Sequence, residues 1–136
     1  MTAYAEAEHV PQVAYRVKEV AAALGLTLAA CYQQVESGAI PHVRVGGRVF
    51  IPARFFTDLG LRTPVRVRYG DGAVLGVPPA YTVAEVAAAL GSAIPNVYGL
   101  AARKVIPTVK DGTRRMVPAE FFAKVGLEAP VLDLRK

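Results

Sequence analysis

The sequence predicts a small α+β fold, mainly α, assembled from two tandem copies of one compact unit. Three observations predict it. Sliding the chain along itself by 66 positions aligns Tyr15 with Tyr81 and stays in register, without a gap, to Val65 with Val131. About 23 of the 51 aligned pairs are identical, with YRVKEVAAALG over YTVAEVAAALG, and a fixed period of this length marks repeated structural units. Within each copy the apolar spacing changes from helical to alternating, and a stretch rich in Gly, Pro and Arg separates the copies. The units are placed at residues 11–65 and 77–131, with a basic connector at 66–76.

The first element of each unit is a short helix. Val17, Val20, Ala21 and Leu24 recur at helical spacing, Glu19 lies in the first turn and Gly25 ends the pattern. Thr82 and Glu85 form a capping box in the second copy, whereas Arg16 occupies the cap position in the first. A second helix follows, with Leu28, Cys31, Tyr32 and Val35 expected on its apolar face and Gly38 as its C-cap. The counterparts are Ile94, Val97, Tyr98 and Ala101, and Pro95 raises the prospect of a shifted start. Ile40-Pro41 breaks the helix. Val43-Arg44-Val45, Gly46-Gly47 and Arg48-Val49-Phe50-Ile51 then alternate as a tight hairpin, matched by one with Asp111-Gly112 at its tip. Pro52 and Pro118 suit the first position of a third helix, whose Phe55, Phe56 and Leu59, or Phe121, Phe122 and Val125, supply the large core side chains. The expected inner faces are Leu24, Val35, Phe50 and Phe55 in one unit and Leu90, Ala101, Met116 and Phe121 in the other. Gly70-Asp71-Gly72 turns the connector into a further hairpin, and 130–134 forms an extra strand or an edge that pairs with another molecule.

Helix, turn, helix, hairpin, helix is the order of a winged helix-turn-helix. The run Y-x-V-x-E-V-A-A-x-L-G, a second helix containing Tyr, then G-x-I-P-x-V-R-V-G-G-R-x-x-I-P resembles the small winged domains of phage excisionases and the related MerR-type regulators. The resemblance covers about 100 of the 136 residues. The second copy departs from it where Lys104 replaces Gly38 and where Gly112-Thr113 replaces Gly46-Gly47. What the resemblance implies is sequence-selective binding of double-stranded DNA, with the second helix in the major groove.

On that footing Thr27, Ala30, Gln33 and Gln34 are the candidate base readers of the first copy, and Asn96, Gly99 and Arg103 stand at the matching places in the second. Gln and Asn suit adenine, and Arg suits guanine or a phosphate; the alternative for the two glutamines is a solvated surface. Tyr32 and Tyr98 either pack the ring on the core while the hydroxyl reaches a phosphate or belong wholly to the core. Arg44, Arg48, Lys104, Lys110, Arg114 and Arg115, with Arg66 and Arg68 of the connector, are the candidate phosphate and minor-groove contacts. Residues 15–66 hold 7 basic and 3 acidic residues against 6 and 4 in residues 81–132, so the first copy is expected to supply the larger share of phosphate binding.

The remaining composition narrows the function classes. A net charge of +5 favours polyanionic partners. One Cys excludes an internal disulfide, and one Cys with two His cannot build a four-ligand zinc site. Cys31 aligns with Val97 and reads as packing. With no nucleophile–base constellation, phosphate loop or repeat-matched carboxylate pair, an enzyme is not expected, nor is any cofactor. No apolar run is long enough to span a bilayer, the N-terminal residues lack a signal-peptide pattern, and a cytoplasmic, nucleoid-associated location with no membrane partner is expected. The leading expectation is therefore a covalent pseudo-dimer that binds DNA as a transcription regulator or a recombination directionality or architectural factor. The alternative is a protein-interaction or assembly module, such as a phage packaging subunit. Besides double-stranded DNA, self-association through terminal or connector strands is a further expected contact.

Overall fold

The computed structural model describes residues 10–63 and 71–135. Arg66 and Arg68, and the first arm of the expected connector hairpin, lie outside the described residues. The first unit runs β1 (Ala14–Arg16), α1 (Val17–Leu24), α2 (Leu28–Ser37), β2 (Val43–Val45), β3 (Arg48–Pro52) and α3 (Arg54–Asp58). After β4 (Leu75–Gly76) the same series returns as β5 (Ala80–Thr82), α4 (Val83–Leu90), α5 (Ile94–Ala102), β6 (Val109–Asp111), β7 (Arg114–Pro118) and α6 (Glu120–Lys124), and β8 (Leu132–Asp133) follows. Each element of the first unit has its counterpart 66 residues on, with only α5 ending one residue early. This is an α+β fold of small sheets and short helices.

The chain sets these boundaries with local chemistry. Thr82 Oγ1 accepts from the Glu85 N–H at 3.1 Å while Glu85 Oε1 accepts from the Thr82 N–H at 2.8 Å, the reciprocal cap the sequence predicts. Arg16 has no acceptor to offer, yet Glu19 still takes the Arg16 N–H at 2.9 Å, so the first unit keeps half of the box. Pro95 does not displace its helix: α5 begins at Ile94, in step with Leu28, because a proline in the first turn removes an N–H that has no helical partner anyway. Pro52 and Pro118 do not open helices. They end β3 and β7, paired with Ala14 and Ala80. Those partner strands, β1 and β5, were not expected from the sequence, and they complete two antiparallel sheets of order β1-β3-β2 and β5-β7-β6.

The two sheets have different surroundings. Successive residues of a strand face opposite sides, and in the first sheet both sides are covered. Tyr15 and Ile51 join Val20, Cys31, Val35 and Phe56 in the first unit's own core, with Tyr15 and Phe56 edge to face at 5.4 Å. Ala14, Val45 and Phe50 instead enter the core of the second unit, among Leu90, Leu100 and Ile106. Burying a side chain such as Phe50 stabilises by about 1.5–3 kcal/mol, so this face is a main joint between the copies. The Val13 N–H donates to the Ala89 carbonyl at 2.9 Å, and Arg54 Nη1 to the Gly126 carbonyl at 3.3 Å. In the second sheet Tyr81 and Val117 face their own helices, but Val109 is 52% exposed and Met116 half-buried on the other side. The same asymmetry leaves Leu24 half-buried where Leu90 is buried, so neither Leu24 nor Met116 is the full core residue expected, and Leu59, at the end of α3, is exposed rather than in the core.

The C-terminal segment is an extra strand pairing within the chain, antiparallel to β4 with Leu75 opposite Asp133. Arg135 hydrogen-bonds the Asp133 carboxylate and lowers its pKa to about 2, helped by the Arg135 and Val74 backbone N–H groups. No single helix among the described residues is long and apolar enough to cross a membrane.

Candidate nucleic-acid interface

Each second helix packs against the helix before it and turns its other side to solvent. In α2, Cys31 and Val35 are buried, whereas Leu28 and Tyr32, expected on the apolar face, are exposed. In α5, Val97, Leu100 and Ala101 are buried and Ile94 and Tyr98 exposed. The spacing that suggested one broad apolar face splits into a covered half, packed on the preceding helix and, in α5, also on the first hairpin through Leu100, and a solvent half. Neither tyrosine is a core residue. The free Cys31 is buried, its Sγ donates to the Val17 carbonyl at 3.7 Å, and burial raises its thiol pKa.

The candidate readers divide by exposure. Thr27 caps α2, its Oγ1 accepting from the Ala30 N–H at 3.1 Å, and Ala30 is half-buried behind it. Gln33 is exposed and Gln34 half-buried. Asn96 is half-buried, with Nδ2 3.5 Å from Ser92 Oγ. Arg103 is exposed at the end of α5, and Lys104 follows in a left-handed conformation, φ 62°, where the first unit has Gly38 at φ 85°. For a residue with a Cβ that conformation costs about 1–2 kcal/mol.

The two hairpins also part company. Gly46, at the first tip, lies so close to α5 that a methyl group there would collide with Leu100 Cδ2 and press on Arg103 and Val105. Its counterpart Gly112 has nothing within 4 Å. Arg48 stands on the same side of β3 as Phe50, the side that meets the second unit, and is half-buried; Arg44 is on the opposite side and exposed. In the second hairpin Lys110, Arg114 and Arg115 are all exposed. Lys104, Lys110 and Arg115 line one depression with Ile106 and Pro107 at the end of α5. Ile94, Tyr98, Thr113, Arg114 and Arg115 line a second, which shares Arg115 with the first. Arg114 has a long ion pair with Asp111, 3.4 Å, between two exposed side chains, and such pairs contribute about 0–1 kcal/mol. The structure thus gathers Lys104, Lys110, Arg114 and Arg115 around one helix–hairpin pair and sets Arg44 and Arg48 apart.

Comparison of the chain with protein-family models, curated proteins and solved structures returns no match. Among the described residues no group of three or more His, Cys, Asp or Glu is placed to hold a metal ion. Sequence reasoning missed the exposure of Leu28 and Ile94. The available signal was their position, since each is the first residue of its helix.

Proposed function

We propose that the chain binds double-stranded DNA through two helix-turn-helix units acting as a covalent pseudo-dimer, in the role of a transcription regulator or a recombination directionality or architectural factor. The observation that carries this reading is the group of exposed cations, Lys104, Lys110, Arg114 and Arg115, at the junction of α5 and the second hairpin. They surround a surface helix with one weak ion pair among them, an arrangement suited to phosphates on either side of a groove. The second unit then supplies the larger share of phosphate contacts, although the first carries more net charge, because the first hairpin is engaged between the copies.

The joint between the units bears on the shape of the site. A two-fold pair brings equivalent surfaces together, whereas here Gly46 meets Leu100 and Gly112 meets nothing. Units docked in this one-way manner do not present themselves as readers related by a two-fold axis, so the expected site is asymmetric. Selection on random duplex DNA with footprinting tests this. The expected outcome is two unlike half-sites, about 10 base pairs apart if both units lie on one face of the duplex. A perfect palindrome, or no enrichment, would overturn it.

The second reading, a protein-interaction or assembly module, draws on Val74, Leu75, Val77, Val131 and Leu134, all exposed around the β4–β8 pair. Weak duplex binding indifferent to salt would favour it.

A further inference from the structure

The solvent side of α5 has few groups able to hydrogen-bond a base edge. Its exposed residues are Ile94, Pro95, Tyr98, Gly99 and Ala102, ahead of Arg103. Asn96, the best amide reader by residue type, is half-buried beside Ser92. An aliphatic residue followed one turn later by tyrosine stands at the same place in both units: Leu28 is 48% and Tyr32 45% exposed, Ile94 40% and Tyr98 50%. The rest of the two helix surfaces differs. These four side chains are not needed to fill the cores, which close on Cys31 and Val35 or Val97 and Leu100.

The depression that holds Ile94 and Tyr98 has Arg114 and Arg115 on its rim, so apolar contact and positive charge lie side by side. Gly99, next to Tyr98, has open space where a side chain would be, which lets a large flat partner approach the helix axis. A duplex offers both complements: phosphates for the rim and, in the major groove, the thymine C5 methyl, the apolar group that distinguishes thymine from the other bases. A purely apolar partner would offer the exposed Arg115 guanidinium no counter-charge and leave Arg114 only its weak pair with Asp111.

Resting on the duplex-binding reading, we propose that Ile94 and Tyr98, and in the first unit Leu28 and Tyr32, are specificity-determining residues that recognise thymine through its methyl group. The selected duplex, remade with deoxyuridine for thymine one position at a time, removes that methyl and leaves pairing intact. The expected result is a loss of about fourfold in affinity for each methyl contacted, the factor that burying one methyl-sized group supports. Ile94→Ala and Leu28→Ala are expected to bring the thymine-to-uracil ratio to about one at opposite ends of the site. Specific duplex binding with thymine and uracil equivalent at every position would overturn the methyl contact and leave the DNA reading standing. Absence of duplex affinity would overturn both and leave this face to a protein partner.

Discussion

Gly46 and Leu100 are in direct opposition, the tip of the first hairpin against α5, with Gly46 at a φ of 60° and no room for a methyl group toward Leu100 Cδ2. Gly112 has a similar φ of 65° and open space. Gly46→Ala is therefore expected to lose about 2–5 kcal/mol, the left-handed strain plus overpacking. Gly112→Ala is expected to lose only the strain, about 1–2 kcal/mol. Urea midpoints of the two variants measure the difference, and equal losses would mean that the joint is not as tight as described.

Lys104 is the one residue other than glycine with positive φ among the described residues. Lys104→Gly relieves that strain against a gain in unfolded-chain entropy, and a net stabilisation of about 0.5–1 kcal/mol is expected. The same variant is expected to flatten the log–log salt dependence of duplex affinity by about one unit if the ammonium meets a phosphate. Added stability with an unchanged salt slope would take Lys104 out of the interface.

The hairpins are expected to respond unequally. Arg114→Ala and Arg115→Ala should each flatten the salt slope by about 0.9, while Arg48→Ala, on the side of β3 that meets the second unit, should change it less. Equal changes for Arg48 and Arg114 would show that both hairpins reach the duplex.

Alkaline pH tests the second core. Tyr81 is fully buried, its hydroxyl donates to the Pro130 carbonyl at 2.5 Å, and burial first, then the Glu85 carboxylate, raises its pKa from 10.0 to about 12. A raised folded-state value means stabilisation present below the unfolded pKa and lost as pH climbs through the folded one. Stability should fall between pH 10.0 and about 12, and Tyr81→Phe should weaken that fall while lowering neutral-pH stability by about 1–3 kcal/mol through the orphaned carbonyl. Tyrosinate absorbance alongside unfolding checks it; an identical alkaline profile in Tyr81→Phe would refute the assignment.

Much of the fold was legible because the repeat is gapless: the glycines, the Ile-Pro break and the paired phenylalanines fix element order twice over. The strands β1 and β5 were not, since three residues such as Ala-Tyr-Arg are too short to show alternation and exist only through pairing with β3 and β7. Leu28 and Tyr32 were misplaced because a helical period marks a face without saying how much of it a neighbour covers. The joint between units did leave a trace, in Val43, Val45 and Phe50 against Val109, Asp111 and Met116. That contrast carries meaning only once one sheet is known to be covered on both sides and the other on one.

The two-sided burial of the first sheet also makes the doubling of this unit hard to undo. Removing the second half would strip Val45 and Phe50 of their cover, and removing the first would bare Ala89, Leu90 and Leu100. Each half has become part of the other's interior, so mutational drift is not free to discard one. A lineage carrying this chain inherits the pair as a single object.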